Sequence, residues 1–224
     1  MTTVTNKPSE RSEHKRGRPS EAERQQIDAR VIEAAFDIFR AHGFEAARMD
    51  RVAAAAGITK MSLYRRFPGK AELLAEVILR HSAQLHADST PIPDVADPIA
   101  SLQTLMWRYR ERISADKMLA LQRLALTAIT EEAVRQALGH VRARYVAPVD
   151  ALVDIAKQQG ALPPLETEEL REILFDLLVN DAASLPLHGY SSTTDQRRIF
   201  EQRWYVVEHG LLLTNFYRSR GLDK

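Results

Sequence analysis

The 224-residue chain contains no cysteine. Disulfide frameworks, thiol catalysis and zinc–thiolate sites are therefore excluded, and a reducing, cytoplasmic setting fits. No run of 18 or more apolar residues occurs, so no membrane span is expected. Residues 1–19 lack the apolar stretch of a secretion signal. Strand-like alternation, internal repeats and low-complexity tracts are missing as well. So are the glycine-rich dinucleotide and P-loop patterns, His-Glu-x-x-His and Gly-x-Ser-x-Gly. His81 and His86 stand five apart, so on a helix they diverge and hold no metal together. Neither a cofactor nor an enzymatic site is expected. The net charge of +1 excludes a strongly basic polyanion binder. The charge is unevenly spread, however. Residues 1–70 carry 14 Lys and Arg against 9 Asp and Glu, so a polyanion should meet the front of the chain.

What is present is helical periodicity. Residues 1–19 are polar and read as a disordered arm. Ser20 opens a capping box with Glu23, and Ile27, Val31, Ala34, Ala35, Ile38 and Phe39 follow on one face. His42-Gly43 should end this helix. A second helix is predicted from about Met49 to Ala56, stopped by Gly57. Thr59 reads as the N-cap of a third, ending near Phe67 ahead of Pro68-Gly69. A fourth starts near Lys70. The stretch 87–98 holds Pro91, Pro93 and Pro98 and is the best boundary. Beyond it, helices are predicted over about 98–114, 116–130, 131–158, 167–186 and 195–219, with a kink possible at Pro148. The fold class is all-α: an arm over 1–19, a three-helix unit over 20–69, and a helical body over 70–224, joined by the helix at 70–86.

Two short helices around Gly57-Ile58 have the layout of a helix-turn-helix. Leu63 and Phe67 lie four apart on the inner face of the third helix. Met61 and Arg65 then point away from it, flanked by Ser62 and Tyr64. Lys60 in the first turn can reach a phosphate or a guanine edge, and Arg65 suits bidentate guanine recognition.

The stretch from Arg30 to Leu74 resembles the N-terminal domain of the TetR family of regulators. Ala35 and Phe39, Gly43-Phe44, Val52-Ala53, Ala56-Gly57-Ile58, Leu63-Tyr64, Phe67 and Lys70 with Leu73 carry the resemblance. It implies a repressor that binds a palindromic double-stranded DNA operator as a homodimer. It also implies release by a small-molecule effector held in the rear body. Thr59, Lys60, Met61, Ser62, Tyr64, Arg65 and Lys70 become expected DNA-facing positions. Two departures are visible. Ala47-Arg48 stands where many members carry Thr or Ser, so Arg48 can supply a phosphate contact but not a cap. Met61 stands where Gly or Ala is frequent.

Arg16-Gly17-Arg18-Pro19 reproduces the core of an AT-hook, so Arg16 and Arg18 are expected in a minor groove. In the rear body, two apolar stripes suggest a four-helix dimer interface. One includes Leu174, Leu177 and Leu178; the other includes Trp204, Val207 and Leu211. Met106, Trp107, Tyr109, Met118 and Tyr145 are candidates for an apolar effector pocket, with His81, Arg110, Asn180 and Asp181 as polar anchors. The competing readings are an all-helical enzyme or small-molecule carrier, and a protein-interaction adaptor. Both leave Arg65, the Gly57 turn and the Arg16–Arg18 arm without a purpose.

Overall fold

A computed structural model describes residues 20–87, 96–183, 189 and 192–210. The expectations for Arg16, Arg18 and Leu211 lie outside these residues. Among the described residues the chain is all helix and has no strand. The elements are α1 (Glu21–Ala46), α2 (Met49–Ala55), α3 (Lys60–Arg66), α4 (Lys70–Ala87), α5 (Pro98–Ile113), α6 (Asp116–Thr127), α7 (Glu132–Gln158), α8 (Thr167–Leu178) and α9 (Thr193–Gly210). A 3-10 turn at Asn180–Ala183 follows α8.

The local signals act where the sequence puts them. The Ser20 N–H donates to the Glu23 carboxylate at 2.7 Å, and the Glu23 N–H donates to the Ser20 hydroxyl at 3.2 Å. Gly43 breaks the helical backbone inside α1 with φ 76°, which turns Phe44 back into the core. α7 runs through Pro148, which removes one rung of its hydrogen-bond ladder.

Two apolar clusters organise the packing. The first joins α1–α4 to α6 and the start of α7, so Phe39, Leu63 and Leu74 share a core with Leu121, Leu124 and Val134. The second joins α5, the rest of α7, α8 and α9 around Met106, Leu152, Leu174 and Phe200. The helix-turn-helix unit is therefore seated on α6 as well as on α4. Burying each large side chain removes it from water at about 1.5–3 kcal/mol.

Two sequence expectations are corrected here. α8 ends at Leu178, well short of 186. Its last carbonyls are taken by side chains from elsewhere. Arg203 Nη1 donates to the Leu177 carbonyl at 2.8 Å, and Arg110 Nη1 donates to the Leu178 carbonyl at 2.7 Å. With those acceptors occupied, the chain tightens into the 3-10 turn. The second correction concerns the dimer stripes. Leu174, Leu178, Trp204 and Val207 are buried within the single chain, and Leu177 is half-buried against the same cluster. These side chains pack α8 and α9 onto α5 and α7. They are not a free surface for a second copy.

Candidate nucleic-acid interface and effector cavity

The turn between α2 and α3 is built by Gly57, which adopts φ 68°. The Gly57 N–H donates to the Ala54 carbonyl at 3.2 Å, and the Ile58 N–H donates to the Ala53 carbonyl at 3.0 Å. This pair of bonds closes a Schellman motif. An L side chain at Gly57 would meet no neighbour, yet the backbone conformation alone would cost ~1–2 kcal/mol. Thr59 then caps α3, its hydroxyl accepting from the Ser62 N–H at 3.2 Å. Arg48 precedes α2 in extended conformation and makes no side-chain cap.

α3 buries Leu63 completely and leaves Met61 84% and Tyr64 41% exposed. Lys60 and Arg65 are exposed on the same outward side, and Ser62 is half-buried. The cations near this helix have different states. Arg66 is committed inward: its Nε donates to Asp28 of α1 at 2.8 Å, and its Nη1 donates to the Ser62 carbonyl at 3.2 Å. Lys70 is committed too. Its ammonium donates to the Phe44 and Glu45 carbonyls at 3.1 and 2.8 Å and sits 4.8 Å from the Phe44 ring centre. At the position the resemblance expects to face DNA, its ammonium is thus engaged with the end of α1. Lys60 pairs with Asp50 of α2 at 2.8 Å. The Asp50 hydrogen bond, then its charge, holds the Lys60 ammonium above the usual lysine range. Arg65 makes no hydrogen bond or ion pair with any described residue. The outward face of α3 thus offers one uncommitted guanidinium, one paired ammonium, one phenol and one thioether.

The rear body carries a half-open cavity of about 340 Å³ between α4, α5, α6, α7 and α8. Of the sequence candidates, Tyr109, Met118, Tyr145 and Asn180 line it. Ser82, Gln122 and Arg142 line it too, and the sequence did not single these out. The aromatic wall is ordered. Tyr109 lies edge-on to Tyr145 at 4.9 Å between ring centres and beside Phe175 at 6.1 Å. The Tyr109 hydroxyl donates to the Tyr145 carbonyl at 3.2 Å. Burial pushes both phenols above the usual tyrosine range, so they stay neutral.

Five of the expected effector residues, Asp181 among them, lie elsewhere. Met106 is a core residue of the second cluster. Arg110 is fully buried and ties α5 to α8 and α9. Its partners are Gln196 at 3.1 Å, the Leu178 carbonyl, and Asp181 at 2.9 Å. Trp107 borders a separate, more polar recess with Glu111 and Thr193, and the Arg197 guanidinium stacks on its ring at 4.6 Å. His81 does not line the cavity and is buried against α1, edge-on to Phe36 at 4.9 Å. Polar residues on an apolar helix face signal either an internal tie or a cavity, and only the packed structure separates Arg110 from Asn180.

A capped pair of short helices with an exposed cationic face, seated on a helical body with a cavity, has the layout of a helix-turn-helix unit on a helical support. The comparisons show what the N-terminal part is similar to. Residues 31–77 match the model for bacterial regulatory proteins, tetR family. The HTH-type transcriptional regulator SrpR of Pseudomonas putida is 36% identical over 74 residues, 33% of this chain and 35% of the relative. The match therefore spans about a third of that relative's length. The flavonoid-responsive regulator FrrA shares the fold at TM-score 0.69 and 20% identity, covering 84% of this chain and 98% of that one. FadR of Bacillus subtilis, solved with stearoyl-CoA, does so at TM-score 0.65 and 15% identity, covering 80% and 96%. The likeness to the tetR family thus rests on the N-terminal domain, residues 31–77. At these identities the structural neighbours speak for the fold of the remainder.

Proposed function

We propose that this protein is a transcriptional repressor that binds a palindromic operator as a homodimer and lets go when a small molecule enters the cavity. The observation that carries the DNA-binding part is the outward face of α3, where Arg65 is exposed and uncommitted beside Met61 and Tyr64. Arg65 would read a guanine edge in the major groove, with Thr59, Lys60, Ser62, Tyr64 and Arg48 toward the backbone. Lys70 would act by fixing the end of α1. One α3 makes few contacts, so specific affinity calls for two. The burial of the Leu174 and Trp204 stripes moves the search for the dimer surface to the outer side of α9. There Tyr205 is 61% and Val206 56% exposed. The cavity lining has no carboxylate, imidazole or thiol, which favours binding over turnover. A mobility-shift titration on DNA flanking the protein's own gene tests the proposal. A dimer should bind at nanomolar-scale Kd with a steep salt dependence. Sequence-indifferent, weak binding at all salts would defeat it.

One polar route between the cavity and the helix-turn-helix unit runs through Glu33 of α1. Lys117 at the start of α6 pairs with it at 3.2 Å and lies 5.2 Å from the Phe36 ring centre. His81 of α4 stands 3.8 Å from it. Their chain neighbours Met118 and Ser82 line the cavity. A ligand that displaces Met118 or Ser82 thus pulls on the helix-turn-helix unit through Glu33. Mutations along such routes change coupling by ~0.5–2 kcal/mol. Glu33→Gln should leave the melting temperature nearly unchanged, since the pair with Lys117 is exposed. It should shrink the ratio of operator affinities without and with effector several-fold. Anisotropy titrations in both conditions measure this; an unaltered ratio would remove Glu33 from the route.

A further inference from the structure

The lining of the cavity specifies a ligand charge. Among the residues that line it, Arg142 is the one ionised group; the rest are apolar side chains, neutral phenols, a hydroxyl and two amides. No Asp or Glu lines the space, so a cationic ligand would meet Arg142 there, and Glu172 beside it is already paired with two guanidiniums. A neutral apolar ligand would gain burial but nothing to orient it. An anion would gain a guanidinium fork at the mouth.

Arg142 is placed to make that exchange. Its side chain is 61% exposed, and Nη2 sits 2.5 Å from the Glu172 carboxylate of α8. Glu172 has a second cation. Arg171 Nε lies 3.3 Å from the same oxygen. Arg171 is itself buried and fixed by two 2.9 Å bonds to Asp150 and one of 3.0 Å to Glu168. A ligand carboxylate can therefore take Arg142 without stranding Glu172 as an unpaired charge. One carboxylate replaces another at a half-exposed pair, and Glu172 keeps Arg171 as its partner.

Size sets the other bound. A cavity of about 340 Å³ is at the small end of ligand pockets, which run ~300–1,000 Å³. On that scale it has room for a ligand body on the order of ten non-hydrogen atoms. Resting on the reading of this cavity as the effector site, we infer that its ligand is an amphipathic anion. It would have an apolar body of about ten carbons against Tyr109, Tyr145 and Phe175 and one carboxylate that displaces Glu172 from Arg142.

Calorimetric titration of the full chain with three ligands of one tail, each below its micelle concentration, tests this: decanoate, decanol and decyltrimethylammonium. Decanoate should bind at least about tenfold more tightly than decanol, the scale of one charge-assisted hydrogen bond, with the cation weakest. Arg142→Gln should erase the advantage of the acid and leave decanol unchanged. Glu172→Gln, which removes the competitor, should tighten decanoate several-fold. Thermal melts check that both variants stay folded. Equal binding of all three, preference for the cation, binding of none, or an acid advantage that survives Arg142→Gln would each overturn the inference. A parallel operator titration separates the two readings. Decanoate binding that leaves DNA affinity untouched sustains the ligand class and counts against effector-controlled release.

Discussion

Replacing Arg65 with Ala is expected to cost ~1–3 kcal/mol of operator binding at each half-site and to abolish preference at one base position. The reason is the state of its guanidinium. Arg66, one residue on, is spent on Asp28 and the Ser62 carbonyl, and Lys60 faces Asp50. Arg65 is exposed and held by no described residue, so it reaches DNA without first losing a partner. The two half-sites are distant and their losses should add. Anisotropy titrations on the preferred duplex and on one changed at a single symmetric pair of bases measure the effect. Lys60→Ala should behave differently. It should weaken all sequences alike and lower the salt slope, because a phosphate contact carries charge and no sequence information. Loss of affinity without any change in base preference in the Arg65 variant would make Arg65 a backbone contact.

The largest expected loss of stability follows Asp181→Ala. Arg110 has no exposure, and Asp181 accepts from it at 2.9 Å while pairing with Arg203 at 2.6 Å. Removing the carboxylate leaves two guanidiniums against the end of α8 with no counter-charge. Breaking a buried pair this way costs ~3–5 kcal/mol. The lower end applies, since Arg110 keeps Gln196 and the Leu178 carbonyl. At ~2–4 °C per kcal/mol for a chain of this size, the melting temperature should fall by roughly 6–12 °C at fixed protein concentration. Asp176→Ala is the control. Asp176 accepts from Asn180 on the exposed side of α8, and its loss should stay within ~0.5 kcal/mol. Equal shifts for the two variants would show that the Arg110 cluster contributes nothing beyond a surface pair.

The front of the molecule was legible because its rules are local. The Ser20–Glu23 box, the Gly57 turn, the Thr59 cap and the inward Leu63 each act within a few residues, and each stands where its spacing put it. The rear was legible as helices but not as surfaces. An apolar stripe tells which face of α8 or α9 is covered, not whether the cover comes from the same chain, so Leu174 and Trp204 were misassigned to a second copy. Arg110 and Arg203 end α8 from α5 and α9, contacts 68 and 26 residues away along the chain, which no helix-stop signal encodes. The cavity was only half visible. Tyr145 and Asn180 line it, but Met106 looks the same in sequence and fills a core, because a void is the absence of a neighbour and leaves no pattern. Lys70 is the converse: a cation at a helix start reads as a phosphate contact, and its carbonyl partners in Phe44 and Glu45 come from a distant helix end.

Selection of bound duplexes from a random-sequence pool, run in parallel on the native chain and the Arg65→Ala variant, puts the matter to experiment. Two inverted copies of one short motif, with a guanine position that loses its preference only in the variant, are what a paired α3 reader should return. An unenriched pool, a motif without symmetry, or identical profiles from both proteins would contradict it.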